Sequence, residues 1–329
     1  MSDLTLACLS PIDVDTLSHQ ICQPHRVATI SPLQALGRAV RAVASIDTKR
    51  KYSRTARFLS KCICRPRASV RWLTDLYQSG MGDLVHLHPR LLLKPYRPYI
   101  NRQNTFHLRA HTIRSHYQMA IRLISPRFVV QMLVGETLQL AKIQGKTADA
   151  AFELVLTRTD MFDREGELVL TLRTADTHLI VYRLVFSLGT SAAGKQALVV
   201  GCLQGPKHEG ARDTVKHATK ALHGIRPRNL LVDALYSIKR ACGIQEIQCV
   251  STAARVFQGE SVHADYDAVW TEAGGVLQQD GMFRLPANLI HDISHVPSKH
   301  RAEYRRRMTL RDTLDRDIAA QLRSWQTSR

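Results

Sequence analysis

From Ser31-Pro32 onward apolar residues recur at helical spacing, as Leu33, Leu36, Val40, Val43 and Ile46, with Arg38 and Arg41 between them. Steps of three and four residues put these side chains on one side of a helix, and Ser-Pro suits a capped start, so the pattern predicts a helix over 31–46 with a basic side. Residues 1–30 mix Pro11, Pro24 and polar residues without a sustained period and read as loosely ordered. Residues 49–77 place Phe58, Leu59, Ile63, Val70, Leu73 and Leu76 on either side of Pro66, which predicts two basic amphipathic helices. Segment 80–105 carries Pro89, Pro95 and Pro98 and reads as a loop or extended linker. Residues 107–124 predict another helix, and Ser125-Pro126 restarts a second one that continues through Ile143 and ends at Gly145.

Beyond Gly145 the pattern turns to short runs rich in Val, Leu and Thr, with alternation in parts, predicting strands over 152–159, 166–173, 179–188 and 197–203. The Asp163-Arg164-Glu165-Gly166 step reads as a hairpin turn. Helices follow from about 209 or 212 to 222 and over 227–242, the second stopped by Gly243. A strand over 245–251, a short helix over 266–273 and a last strand over 282–285 come next. Met308, Leu310, Leu314, Ile318, Leu322 and Trp325 then mark a long terminal helix over 302–325. The order predicts an α+β protein: a helical N-terminal region, a central, mostly antiparallel sheet with flanking helices, and a long C-terminal helix. The division expected is a basic, helical or loosely ordered region over 1–105 and an α+β domain with a basic C-terminal helix over 106–329.

Composition adds the matter of charge. A chain of 329 residues with 44% hydrophobic residues can bury a sizeable core, and 46 Lys and Arg against 28 Asp and Glu leave +18. Residues 1–127 hold 20 cations and 6 acids, residues 128–298 hold 17 and 18, and residues 299–329 hold 9 and 4. The excess therefore lies at the two ends, so an anionic membrane surface is the expected partner. Nucleic acid is permitted only as a non-specific partner, because no recognition motif is present and aromatic residues are 6% of the chain. The seven scattered cysteines indicate a reducing compartment. The first residues lack a basic-then-apolar signal pattern, and no run approaches the roughly 20 apolar residues of a membrane span. The expected location is cytoplasmic and peripheral at the inner membrane.

Candidate chemistry is sparse. No GxGxxG, Walker or Gly-x-Ser-x-Gly sequence occurs, and Cys62-x-Cys64 and the histidines match no zinc spacing, so no metal is expected. In 201–229 a strand end, a Gly-Pro turn and two helix starts gather Lys207, Arg212 and Lys216, then Arg226 and Arg228, as candidate phosphate-binding residues. The alternative is that these cations solvate the helices and cap Asp213 and Asp233. His263, Asp265 and Asp267 are the candidate general acid–base groups, with a helix cap at Asp265 or Asp267 as the alternative.

Taken together, MFDREGELVLTL (161–172), the long run 201–238, VHADYDAVWTEAGG (262–275), DGMFRLP (280–286) and VPSKHRAEYRRR (296–307) resemble the VirK/YbjX family of bacterial proteins over roughly 110–315. The resemblance implies a role in the bacterial envelope, antimicrobial-peptide tolerance or virulence, and it carries no catalytic residue with it. The order of elements is also similar to the acyl-CoA N-acyltransferase fold, which implies an acyl-transferring enzyme fed by acyl-CoA or acyl carrier protein. Two helices rather than one between the fourth and fifth strands of the run, and a loop QGPKHEGAR (204–212) that does not clearly spell a pyrophosphate loop, depart from that fold.

Overall fold

Ser31 starts the first predicted helix as expected: its hydroxyl accepts from the amide of Gln34, whose side chain returns the bond to the Ser31 amide. The computed structural model describes residues 14–22, 30–46, 49–147, 150–158, 161–258, 265–290, 294 and 296–327. Its N-terminal elements are α1 (Val14–Cys22), α2 (Pro32–Ser45), α3 (Lys51–Cys64), α4 (Pro66–Gln78), α5 (Gly82–Leu87), a 3₁₀ helix (Pro89–Tyr96), α6 (Phe106–Leu123) and α7 (Pro126–Val134).

Three local expectations are corrected. Residues 14–22, read as loosely ordered, form α1 and lie along α7. Segment 80–105, read as a linker, holds α5 and the 3₁₀ helix, because Leu84, Val85, Leu91 and Leu92 are wholly buried and Pro89 sits at the first helical position, where its missing amide costs nothing. The helix read through 126–143 stops at Gly135, whose φ of +91° ends it in the left-handed conformation, and the chain continues as a strand.

That strand is β1 (Leu138–Gln144), followed by β2 (Ala151–Arg158), β3 (Leu168–Thr174), β4 (Ile180–Thr190) and β5 (Gln196–Gln204), an antiparallel meander. Then come α8 (Ala211–Ala221), α9 (Pro227–Ala241), β6 (Glu246–Val250), α10 (Tyr266–Glu272), β7 (Val276–Leu277), β8 (Met282–Arg284) and α11 (Arg301–Thr327). The eight strands form one sheet in the order β1-β2-β3-β4-β5-β6-β8-β7; β5 and β6 are parallel, and β8 is antiparallel to both its neighbours. Two helices, α8 and α9, cross from β5 to β6, as the sequence predicts.

Strand alternation divides the sheet. Leu168, Leu170 and Leu172 of β3 and Leu184, Phe186 and Leu188 of β4 join the main core. Val169, Val185 and Cys202, pointing the other way, form a small second cluster with Phe162. The terminal helix completes the main core: Leu314, Ile318 and Leu322 are buried, α11 lies against α9 and β1, and Trp325 stacks near Phe128 at 5.4 Å.

The same core includes Ala39, Val43, Phe58, Trp72 and Leu76 of the N-terminal helices. A buried ion pair strengthens that union. Lys94 Nζ lies 2.6 Å from both carboxylate oxygens of Glu167, which also accept from Tyr99 at 2.7 Å and Tyr117 at 2.8 Å. Burial by itself raises a carboxyl, but Lys94, His116 and the donated bonds outweigh it and hold Glu167 at about 2. Two charges out of water repay their desolvation only with this saturation of donors. Nearby, burial, with Lys94 and Arg158 adding to it, lowers His88 to about 3, so its Nδ1 accepts from Arg158 at 2.6 Å as a neutral ring.

Candidate functional site

At the end of β5 the register slips. Val185 faces Cys202 while Phe186 faces Val200, leaving Gly201 as a bulge. The chain between β2 and β3 crosses this bulge, and a Cβ on Gly201 would collide with the carbonyl of Glu165. Gly166 is equally constrained, since a Cβ there would come 2.9 Å from the Phe186 carbonyl oxygen. The crossing segment is tied down by Glu165 N to Phe162 O at 2.8 Å, Ile100 N to Arg164 O at 2.8 Å and the Arg97–Asp163 pair at 2.9 Å. The expected turn at 163–166 does join the antiparallel hairpin of β2 and β3, and it lies as a strap across the sheet that turns Glu165 inward.

Glu165 is only 7% exposed and lies in a cleft of about 480 Å³. Burial raises its carboxyl to about 7, opposed by a hydrogen bond with Cys202 and by Lys207. Burial, then the Glu165 charge, pushes the Cys202 thiol up and favours its protonated form. Tyr266 donates to Cys202 Sγ at 3.3 Å and accepts from the Leu203 amide at 3.2 Å, and burial pushes its phenol up as well. Arg183 lies over the Phe162 ring at 5.8 Å and Arg255 over the Tyr266 ring at 5.7 Å. Met161 and Phe257, both exposed, stand at the same cleft. The arrangement couples a carboxyl that exchanges its proton near neutral pH with a cationic rim and apolar walls.

The candidates read from the sequence separate in space. Lys207 lines the Glu165 cleft. Lys216, Arg226 and Arg228 line another, beside Tyr182, and Arg212 is exposed on α8 and borders neither. Asp265 caps α10 by accepting from Ala268 N at 3.1 Å, and Asp267 accepts from Thr252 N at 2.7 Å, so both serve the turn that seats Tyr266. His263 lies outside the described residues. Sequence reasoning missed Glu165, Arg183, Arg255 and Tyr266. The one available signal was Gly201 within a strand, where glycine marks a bulge or a close backbone approach. Among the described residues no three metal-ligating side chains converge, and no helix is long and apolar enough to cross a membrane.

Residues 47–320 match the family described as "Protein of unknown function (DUF535)". The chain belongs to this family. It is the VirK/YbjX family that the quoted segments resemble: YbjX of Escherichia coli (strain K12) is 30% identical over 81% of this chain and 83% of its own length. A Haemophilus influenzae protein is 33% identical over 52% of the chain and 58% of that protein. The membrane protein LapB of Mannheimia haemolytica is 36% identical over 30% of the chain and 41% of LapB. Among solved structures, mutants of a cAMP-binding acyltransferase from Mycobacterium smegmatis superpose on 64% of this DUF535 chain and on 59% and 61% of their own, at 12% and 10% identity and TM-scores of 0.30 and 0.27. Superpositions this loose equate neither fold nor function, so the α+β class of this family member rests on its own sheet.

Proposed function

We propose that this VirK/YbjX protein works on the anionic cytoplasmic face of the bacterial inner membrane, in support of envelope integrity, antimicrobial-peptide tolerance or virulence. One observation carries the reading. Residues 49–71, which form α3 and the start of α4, hold nine Lys and Arg and no acid, while Tyr52, Ile63 and Val70 on the same stretch are 85%, 76% and 44% exposed. A rigid basic surface with protruding apolar side chains suits an anionic lipid interface. The name of the relative LapB, a membrane protein, agrees with this.

Because Phe58, Trp72 and Leu76 of these helices are core residues, truncation would destroy the fold, and the test must change the surface alone. The exposed Lys51, Arg57 and Arg67 are replaced by Gln, and co-sedimentation with phosphatidylglycerol vesicles is measured. At about 1 kcal/mol per cation near the surface, the triple variant binds about a hundredfold more weakly. Equal pelleting of both proteins sinks the reading.

The Glu165 cleft favours a second reading, an acyl-group transferase using acyl-CoA or acyl carrier protein. Glu165 would take the proton of an amine as its nitrogen bonds to the acyl carbon and the thiolate leaves, with Lys207 and Arg183 holding phosphate. Thermal shifts with acyl-CoA and acyl carrier protein test it. No stabilisation by either, with Arg183→Ala behaving as wild type, counts against it.

A further inference from the structure

A cationic cleft unused by these readings lies between α8 and α9. Lys216, Lys220, Arg226 and Arg228 converge there on about 480 Å³ of space, with the Tyr182 ring and Pro227 in its walls. It is distinct from the Glu165 cleft, although a Cβ on Gly205 of that cleft would stand 3.2 Å from the Tyr182 ring.

The charges in this place are poorly compensated. Lys216 and Lys220 are four residues apart on one face of α8, a spacing at which like charges repel, and neither is paired with a carboxylate among the described residues. Arg226 and Arg228 share a single carboxylate, Glu272, at 3.3 and 2.7 Å, and Asn229 donates to the same group at 3.2 Å. Among the described residues one acid therefore answers four cations. Arg228 Nε is buried and meets no acceptor among the described residues. An arrangement that holds like charges together costs stability unless an anion arrives.

We propose that this cleft binds a phosphate-bearing ligand with at least two negative charges, a phosphomonoester or a pyrophosphate. A tetrahedral group offers oxygens to two lysines and to the arginine forks at once, whereas a planar carboxylate reaches fewer. The phosphate belongs either to a soluble molecule or to a lipid headgroup, and the chemistry of recognition is common to both.

Calorimetric titration with inorganic pyrophosphate and sedimentation with phosphatidic acid vesicles, both at low salt, test the site on wild type, on Lys216→Ala/Lys220→Ala and on Lys142→Ala, a β1 position that is exposed and lines neither cleft. Both lysines are exposed, so the double variant keeps its fold, which circular dichroism checks. The double variant weakens binding about tenfold or more for at least one probe, the loss of two charge-assisted contacts, while Lys142→Ala leaves it unchanged. Loss confined to pyrophosphate marks a soluble ligand, and loss that includes the vesicles marks a headgroup. The proposal is overturned if the wild type binds neither probe, or if the double variant binds both as the wild type does. Pyrophosphate binding that survives the Lys51, Arg57 and Arg67 substitutions separates this site from the membrane surface of α3 and α4.

Discussion

The backbone carbonyl of Glu165 rests against the Cα of Gly201, at the bulge where β5 slips past β4. This contact holds the strap over the sheet and places the Glu165 carboxyl in its cleft. Gly201→Ala must push the strap off the bulge, and overpacking of this kind costs about 1–3 kcal/mol. Urea denaturation should show that loss. Gly37 is the contrasting case, exposed on α2 with nothing within 4 Å of an added Cβ. Gly37→Ala is expected to stabilise by about 0.5–1 kcal/mol. Equal effects at the two positions would contradict the account of the strap.

Glu165 should make stability fall with rising pH. Its carboxyl is held at about 7 when folded, above its value in the unfolded chain, so between about 4.3 and 7 the folded state binds the extra proton and loses ground as pH climbs. Denaturation at pH 5 and pH 8 measures this slope. In Glu165→Gln the slope is shallower and the variant gains on wild type at pH 8; an unchanged slope would remove Glu165 as its source.

The Lys94–Glu167 pair has the opposite sign. Glu167 is held at about 2, below its unfolded value, so its contribution is present above about 4.3 and is lost as pH falls towards 2. Lys94→Met strands a buried carboxylate and costs about 3–5 kcal/mol at neutral pH. Glu167→Gln flattens the acid limb of the stability curve. If Lys94→Met were neutral in chemical denaturation, the N-terminal segment would not be joined to the sheet through this pair.

The terminal helix is held by its buried apolar face. Ile318 is 0% exposed, and Ile318→Ala is expected to cost about 2–5 kcal/mol through the cavity it leaves. The same change at exposed Ile290 should fall within about 0.5 kcal/mol of wild type. Guanidinium melts of the two variants decide it.

Where local physics suffices, the chain could be read directly. The Ser31 and Ser125 caps, the glycine stop at Gly243, the Val- and Leu-rich alternation of β2 to β5 and the period of α11 all act over a few residues, and each element lies where that pattern puts it. Segment 80–105 departs from its linker pattern because its prolines are visible locally, whereas the burial of Leu91 and Leu92 depends on distant partners. Glu165 is illegible in the sequence for the same reason, since a glutamate in a turn is ordinarily solvated and the Gly201 bulge draws this one inward.

The charged residues mark the same boundary. The α+β order, the basic ends, the near-neutral middle and the family are legible along the chain, because composition and short-range periodicity are properties of the chain. Which charges meet depends on the folded chain. Lys207 parts from Lys216 because β5 and α8 send them to different clefts, Asp265 and Asp267 are spent on a turn, and the basic N-terminal helices share the core of the sheet through Lys94 and Glu167. Pairing between side chains far apart in the chain is set by strand register and helix packing, which no local pattern contains.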